Sequence, residues 1–196
     1  MNKIIFVLMA LLAFNPLNAQ NMKNTESKKV VILIAHPNLQ ESKANKALLE
    51  AVKDLSKVEV IDLYADPTGK FDVKAHEAKI KSADAIVFQF PFYWASAPSQ
   101  LKKWLDEVFT PWAGTPVVQG KKLMVATTTG SEYEAYRSGG RNHYTMDELL
   151  RPYQLVADHS GMVWQTPVVV YGMGTPQAAA NLKAGATTYR QRIEKL

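Results

Sequence analysis

Short apolar runs recur along this chain and alternate with segments whose apolar residues follow helical spacing. A continuous apolar run such as VVILIA (30–35) is typical of a parallel strand that is covered on both faces. Such strands alternating with helices form a parallel sheet with helices on both sides. The sequence therefore predicts an α/β fold with a doubly wound five-stranded parallel sheet, its strands being VVILIA (30–35), VEVIDL (58–63), AIVFQFP (85–91), KLMVATTTG (122–130) and MVWQTPVVVYG (162–172).

Helical spacing is clearest after the third strand, where apolar residues recur from Leu101 to Phe109 and charged residues occupy the opposite face. Leu48 to Leu55, Ile80 with Ala83, the segment 146–160 and the end of the chain are the other predicted helices. In sheets of this kind ligands bind beyond the carboxyl ends of the strands, where the strand order reverses. The residues that follow each strand are therefore the candidates for a functional site.

The N-terminus differs from the rest of the chain. Lys3 precedes eleven apolar residues (4–14), and the small residue Ala19 follows a short polar stretch, which is the pattern of a secretory signal peptide. We therefore expect a signal peptide at 1–19, a disordered lead-in at 20–29 and one domain at 30–196. Cleavage would make the protein exported and periplasmic; otherwise it would be cytoplasmic or anchored in the membrane.

Composition excludes several classes of function. The chain has 196 residues and a net charge of +5, without a long Lys/Arg block, so no nucleic-acid partner is expected. It has no cysteine, which excludes disulfides, thiolate metal sites and cysteine nucleophiles. Its four histidines show no metal-ligand spacing, so no metal is expected, and His76 and His159 are interpreted as helix-surface residues.

Three of the predicted strand ends are unusual. After the first, Ser42 can cap a helix whose N-terminal amides attract an anion, and Asn45 can add a donor; an ordinary capped helix start is the alternative. After the third, the loop FPFYWASAP (90–98) is dense in rings, which could stack on a flat ligand or simply cover the core. After the fourth, TTTG (127–130) offers hydroxyls and a glycine, or an ordinary exit from the sheet.

The three strand ends together favour a ligand over the separate structural alternatives. One edge of the sheet would present an anion site, a ring-stacking loop and a hydroxyl-rich turn. Such a combination suits flavin mononucleotide (FMN), with its phosphate on the first loop and its isoalloxazine ring on the other two. FAD is the alternative cofactor.

The motifs AHPNLQESKAN (35–45), FPFYWASAPSQLKKWLDEVF (90–109) and TTTG (127–130) resemble those of the flavodoxin-like NAD(P)H:quinone oxidoreductases. The similarity is greatest to the short bacterial members, which include the ancillary flavoproteins of glutathione-gated potassium efflux. It spans roughly 30–172 and implies the flavodoxin-like strand order 2-1-3-4-5. The cofactor-binding residues that the resemblance implies are His36, Ser42, Ala44, Asn45, Pro91, Phe92, Tyr93, Trp94, Thr128, Thr129, Gly130 and Ser131.

The resemblance also implies catalytic roles for Tyr136 and His143, which fall where the family has an active-site tyrosine and histidine. Hydride arriving at the flavin leaves negative charge on the ring, which a hydroxyl and an imidazole can stabilise by donating hydrogen bonds. NAD(P)H is the expected electron donor, and a quinone or another small aromatic molecule is the expected acceptor.

Three functional hypotheses remain open. The first is the quinone reductase just described, and the second is a reductase of azo or nitro compounds. The third is a non-catalytic module that binds a membrane transporter, since fold alone does not establish chemistry. The resemblance further implies a homodimer. The sequence does not distinguish NADH from NADPH, or FMN from FAD, and it does not identify the acceptor.

Overall fold

The structure is a computed structural model that describes residues 28–196. The predicted signal peptide (1–19) and most of the lead-in (20–29) lie outside the described residues. Within residues 28–196, no helix combines the length and the apolar character needed to cross a membrane.

A parallel sheet forms the centre of the molecule, with strand order β2-β1-β3-β4-β5 and a sixth short strand, β6, that also pairs with β4. Both β5 and β6 lie beside β4 and follow one another along the same edge, so they act as one interrupted fifth strand. The predicted strand order, 2-1-3-4-5, is therefore confirmed. The strands are β1 (Val30–Ile34), β2 (Val58–Asp62), β3 (Ala85–Pro91), β4 (Lys122–Thr128), β5 (Val163–Trp164) and β6 (Val168–Val170).

Two apolar cores lie on opposite faces of the sheet, because successive side chains of a strand point to opposite sides. Val31 and Leu33 of β1 face one core, and Val30 and Ile32 face the other. The first core is covered by α2 to α5 and the second by α1 and α6. The helices are α1 (Lys43–Glu50), α2 (Val73–Ser82), α3 (Ser99–Trp104), α4 (Met146–Leu149), α5 (Arg151–His159) and α6 (Ala178–Lys195).

The apolar stripe predicted from Leu101 to Phe109 is present, but only its first part is α-helical. A turn of π-helix (Leu105–Phe109) follows α3, and a 3-10 turn (Thr110–Trp112) follows that. Trp104, Val108 and Phe109 are buried in the first core, while the charged residues of the opposite face are mostly exposed. The interpretation of this segment as amphipathic is confirmed.

Prolines interrupt two of the predicted elements. The helix predicted at 146–160 is two helices that meet at Leu150, because Pro152 cannot donate an N–H to the turn before it. The strand predicted at 162–172 is divided at Gln165–Pro167, since Pro167 has no N–H for the ladder. Proline is tolerated at this position because the strand lies at the edge of the sheet.

His76 was expected on a helix surface, and that prediction was wrong. The imidazole is half-buried, and its Nδ1 accepts a hydrogen bond of 3.1 Å from the indole Nε1 of Trp104. Burial lowers the pKa of His76; the nearby Asp72 carboxylate opposes that shift, whereas Lys79 adds to it. His159, in contrast, is exposed as predicted.

Candidate functional site

A cavity of about 960 Å³ opens at the carboxyl ends of β1, β3 and β4, where the strand order reverses. It is lined by all of the residues that the sequence predicted to bind a cofactor, except Trp94 and Ser131. The fold therefore brings the three unusual strand ends together on one surface. A volume of this size is at the upper end of the range for small-molecule sites.

The first wall of the cavity is the loop after β1 and the beginning of α1. The side chain of Ser42 accepts a hydrogen bond of 3.1 Å from the amide N of Asn45, so Ser42 is the predicted N-cap. Capping by one side chain leaves other first-turn amides available to a ligand. Lys43 also lines the cavity, and its positive charge offsets the negative charge of Glu41 on the same wall.

His36 stands at the base of this wall and is almost fully buried. Burial lowers the pKa of His36, an effect that the Asp62 carboxylate partly opposes. Its Nδ1 accepts a hydrogen bond of 3.1 Å from the amide N of Asn38. A neutral imidazole that accepts at Nδ1 carries its proton on Nε2, so His36 is a hydrogen-bond donor at that atom.

The second wall is the aromatic loop after β3, which forms a two-residue hairpin. The main chains of Tyr93 and Ser96 exchange two hydrogen bonds of 2.9 Å across Trp94 and Ala95. Both central residues have positive φ (48° and 60°), the geometry of a type I′ turn, which normally requires Asn or Gly. The turn places the Trp94 side chain, 99% exposed, outside the main cavity.

The third wall is the exit of β4, where Thr128, Thr129 and Gly130 line the cavity. A Cβ at Gly130 would meet no other atom of the chain within 4 Å, so the backbone there borders open space. Ser131 does not line the cavity, and its hydroxyl instead accepts a hydrogen bond from the Arg141 guanidinium.

A fourth wall, formed by residues after β6, was not predicted. Met173, Gly174 and three small or apolar residues of α6 line the cavity. Backbone hydrogen bonds of 2.8–2.9 Å from the amides of residues 172–174 to the carbonyls of residues 129–131 fasten this wall to the β4 exit. A Cβ on Gly174 would approach the carbonyl oxygen of Gly130 at 3.1 Å, so the two segments pack backbone against backbone. The run of small residues after 172 was the only sequence signal of this wall.

The two predicted catalytic residues lie near a second, smaller cavity of about 370 Å³. Tyr136 lines it and is buried, with its ring edge-on to Phe92 at 6.1 Å between centroids. Phe92 lines both cavities and therefore stands where they adjoin. His143 does not line either cavity, although its neighbours Asn142 and Tyr144 line the smaller one.

The loop that carries His143 has a strained backbone. His143 is exposed and has a φ of 62°, which is uncommon for a residue with a side chain. Its amide donates to the carbonyl of Gly140 at 2.9 Å. Backbone strain of this kind clusters at functional sites. Within residues 28–196, no group of three or more His, Asp or Glu residues could hold a metal ion.

Comparison with known proteins identifies relatives over nearly the whole described chain. The family Flavodoxin_2, described as having a flavodoxin-like fold, matches residues 28–193. General stress protein 14 of Bacillus subtilis (strain 168) is 43% identical over 172 residues, which is 85% of this chain and 98% of that protein. The glutathione-regulated potassium-efflux system ancillary protein KefG of Cronobacter sakazakii is 40% identical over 152 residues, 75% of this chain and 83% of that protein.

Two solved structures are similar over about the same span. The general stress protein 14 of Treponema denticola, solved in complex with FMN, is 31% identical with a TM-score of 0.77, covering 85% of this chain and 98% of that one. An NADPH-quinone reductase from P. pentosaceus is 28% identical with a TM-score of 0.74, covering 84% of this chain and 96% of that one.

Proposed function

The chain belongs to the flavodoxin-like family Flavodoxin_2, and from that premise we propose that it is an FMN-dependent NAD(P)H:quinone oxidoreductase. The observation that carries the proposal is the cavity at the switch point of the sheet, which joins a helix N-terminus, an aromatic loop and a hydroxyl-rich turn. The FMN complex of one similar structure and the quinone reductase activity named for another support it.

The first wall fits the phosphate end of FMN. A phosphate carries negative charge, and the first turn of α1 offers amide donors together with the positive end of a helix dipole. His36 and Lys43 line the same wall, and His36 Nε2 and the Lys43 ammonium would be further donors to the phosphate. This loop contains no glycine, and the uncapped amides in the first turn of α1, beyond the one that Ser42 caps, would serve as the phosphate donors.

The other walls fit a flat conjugated ring. The flavin ring would lie against Pro91, Phe92 and Tyr93 on one side, and against Thr129 and Gly130 on the other. The open space above Gly130 leaves room for a ring to approach the main chain. The fourth wall would close the site with apolar contacts from Met173 and Leu182.

When bound, FMN would itself accept a hydride, which carries two electrons, and then donate both electrons to the acceptor. The chain's own residues would exclude water, position the ring and stabilise the charge that develops on it. Tyr136 lines the smaller cavity next to Phe92, and we assign its hydroxyl the role of donating to a molecule bound there. His143 lines neither cavity, and we assign it the second donor role on resemblance alone.

The smaller cavity is the proposed place of the acceptor. Four of its lining residues, Phe92, Trp94, Tyr136 and Tyr144, are aromatic, which suits a quinone or a similar small aromatic molecule. NAD(P)H and the acceptor would use this place in turn, so that steady-state kinetics should be ping-pong. A panel of quinone, azo and nitro acceptors would distinguish the quinone reductase from the alternative reductases.

The second candidate function is that of an ancillary subunit of a membrane transporter. It is supported by the potassium-efflux ancillary protein that is 40% identical to this chain. The two candidates differ in what they require, because an ancillary role could persist without turnover. A Tyr136→Phe/His143→Ala variant that keeps potassium efflux but loses quinone reduction would favour the transporter role.

We also propose homodimerisation and export, which are separate from the chemistry. Exposed aromatic residues that line the smaller cavity, Trp94 and Tyr144, support a dimer, since soluble monomers rarely expose large apolar patches. Light scattering of the purified protein would test the dimer. Export rests on the sequence pattern of residues 1–19, and N-terminal sequencing of the secreted protein would test it.

The direct test of the flavoenzyme is an absorbance spectrum of the purified mature protein. We expect flavin bands that bleach when NADPH or NADH is added anaerobically and return when a quinone follows. A colourless protein that takes up no FMN on reconstitution would overturn the proposal. A yellow protein that is not reduced by either nucleotide would overturn the choice of electron donor.

A further inference from the structure

A chain of buried polar side chains begins inside the molecule and ends at the main cavity. Its members come from four different elements: Tyr189 of α6, Gln89 of β3, Asn45 of α1 and Thr128 of β4. The first three are at most 1% exposed and Thr128 is 6% exposed. Only Asn45 and Thr128 line the cavity. A buried polar chain of this kind is costly unless every member is satisfied, so its direction can be read atom by atom.

Tyr189 fixes the direction of the chain. Its hydroxyl donates to Gln89 Oε1 at 2.9 Å. Complete burial raises the pKa of Tyr189, so this hydroxyl keeps its proton at any physiological pH. With Oε1 engaged as the acceptor, the amide group of Gln89 has one orientation, in which Nε2 points towards α1.

Gln89 then fixes Asn45 in the same manner. Gln89 Nε2 donates to the main-chain oxygen of Asn45 at 3.0 Å and to its Oδ1 at 3.4 Å. Because Oδ1 accepts, Nδ2 of Asn45 points the other way, and it donates to Thr128 Oγ1 at 3.4 Å. Each amide in the chain is thus held in one of its two flipped orientations by the residue before it.

Thr128 is the end of the chain. Its Oγ1 accepts from Asn45, so its own hydrogen must point elsewhere. Among the described residues no acceptor receives that hydrogen, and the side chain borders the cavity. The hydroxyl of Thr128 is consequently available as a donor to a ligand.

We propose that Tyr189 is a positioning residue which, through Gln89 and Asn45, makes Thr128 a hydrogen-bond donor to an acceptor atom of the flavin. The inference rests on the proposed function for the identity of the ligand. It adds that the C-terminal helix α6, whose residues that line the cavity are all apolar, also sets the direction of the hydrogen bond offered by Thr128 on the third wall. A site oriented in this way selects ligand atoms that accept hydrogen bonds, such as phosphate or ring carbonyl oxygens.

The test measures FMN affinity of apoprotein by quenching of flavin fluorescence, in Tyr189→Phe, Thr128→Val and the double variant. Tyr189→Phe should weaken FMN binding about two- to tenfold, the worth of one neutral hydrogen bond. In the Thr128→Val background the same change should weaken it less than twofold, because the end of the chain is already gone. Thr128→Ser is the matched control; it keeps the hydroxyl and should keep the full sensitivity to Tyr189→Phe.

Two results would overturn the inference. One is an equal loss of affinity from Tyr189→Phe in all three backgrounds, which would indicate a general effect on stability. The other is no loss in any background.

Urea unfolding of the same proteins gives a readout that does not depend on flavin. The hydrogen bonds that join Tyr189 to Thr128 run through Gln89 and Asn45, so a relay predicts that their effects on the urea midpoint are less than additive. Additive shifts would overturn the relay even if FMN binds. If wild type binds no FMN but the shifts are non-additive, the relay stands and the proposed flavin function fails.

Discussion

Trp104 of α3 donates its indole N–H to Nδ1 of His76 in α2, and this 3.1 Å bond joins two helices on the same face of the sheet. The indole is completely buried, so its N–H needs a partner inside the protein. Nδ1 can accept only while the imidazole is neutral. Stability of the fold is thereby coupled to the protonation of one histidine.

Acidification should destabilise the protein through His76. Its pKa is lowered on folding, so the contribution is complete above the unfolded value of 6.5 and is lost as the pH falls below 6.5 towards the folded value. The urea midpoint of wild type should therefore be lower at pH 5.5 than at pH 7.5. His76→Asn should show a smaller fall, because Asn offers an acceptor that does not titrate.

The pKa of His36 is also lowered, so part of the pH dependence should survive in His76→Asn. His159→Asn is the matched control, because His159 is exposed. This variant should show the same difference in urea midpoint between pH 7.5 and 5.5 as wild type. An unaltered pH dependence in His76→Asn would contradict the role of this hydrogen bond.

Changes at Ser42 should separate helix capping from ligand binding. Ser42→Ala removes the cap and should lower the free energy of unfolding by about 1 kcal/mol. Ser42→Asp keeps a capping acceptor and should restore that stability, but its charge should weaken FMN binding at least about tenfold by repelling the phosphate. Urea unfolding and flavin titration measure the two effects.

Riboflavin, which lacks the phosphate, is the control ligand for Ser42→Asp. Its affinity should change much less than that of FMN. Equal losses for both flavins would mean that the phosphate does not lie at the start of α1.

Two glycines should respond to alanine in opposite ways. A Cβ at Gly140 would overlap the carbonyl oxygens of Glu134 and Ala135, so Gly140→Ala should cost about 1–3 kcal/mol and displace the loop that carries His143. Quinone turnover should fall while FMN affinity is kept. At Gly130 a Cβ meets nothing, so Gly130→Ala should leave stability almost unchanged but weaken FMN binding. The reverse pattern would contradict the placement of the two cavities.

A substitution in the hairpin at Trp94 and Ala95 should stabilise the fold and at the same time weaken binding of the acceptor. Asn-Gly is the preferred pair for a type I′ turn, so Trp94→Asn/Ala95→Gly should raise stability by about 1 kcal/mol, or the melting temperature by about 2–4 °C. The same variant should raise KM for an aromatic acceptor, because Trp94 lines the smaller cavity. A variant that is more stable with unchanged KM would show that Trp94 does not touch the acceptor.

The fold was largely predictable from periodicity, whereas the places where its helices and strands are interrupted were not. The buried run 30–35 is apolar throughout and the run 85–91 is apolar except for Gln89, and that pattern has few other interpretations. Pro152 and Pro167 were visible as breakers, but single residues do not tell whether an element bends, ends or continues. The π-turn after Trp104 has no recognised sequence signal.

The site was predictable where its chemistry is carried by side chains. Ser42, Asn45 and the rings of 90–94 stand out because their residue types are unusual at strand ends. The fourth wall was missed because Met173, Gly174 and Ala178 contribute shape and backbone, which residue type does not reveal. His76 was misplaced because its partner, Trp104, lies 28 residues away and only the folded chain joins them.

The backbone hydrogen bonds between residues 129–131 and 172–174 hold one side of the cavity together and so determine on which side a ligand can enter and leave. This side of the cavity can open only by breaking several main-chain hydrogen bonds at once and peeling the edge strand away. The opposite side is a two-residue hairpin, whose exposed tip is held by only two such bonds. A flavin should therefore arrive and depart past Trp94, and the residence time of the cofactor should be set by the motion of that hairpin.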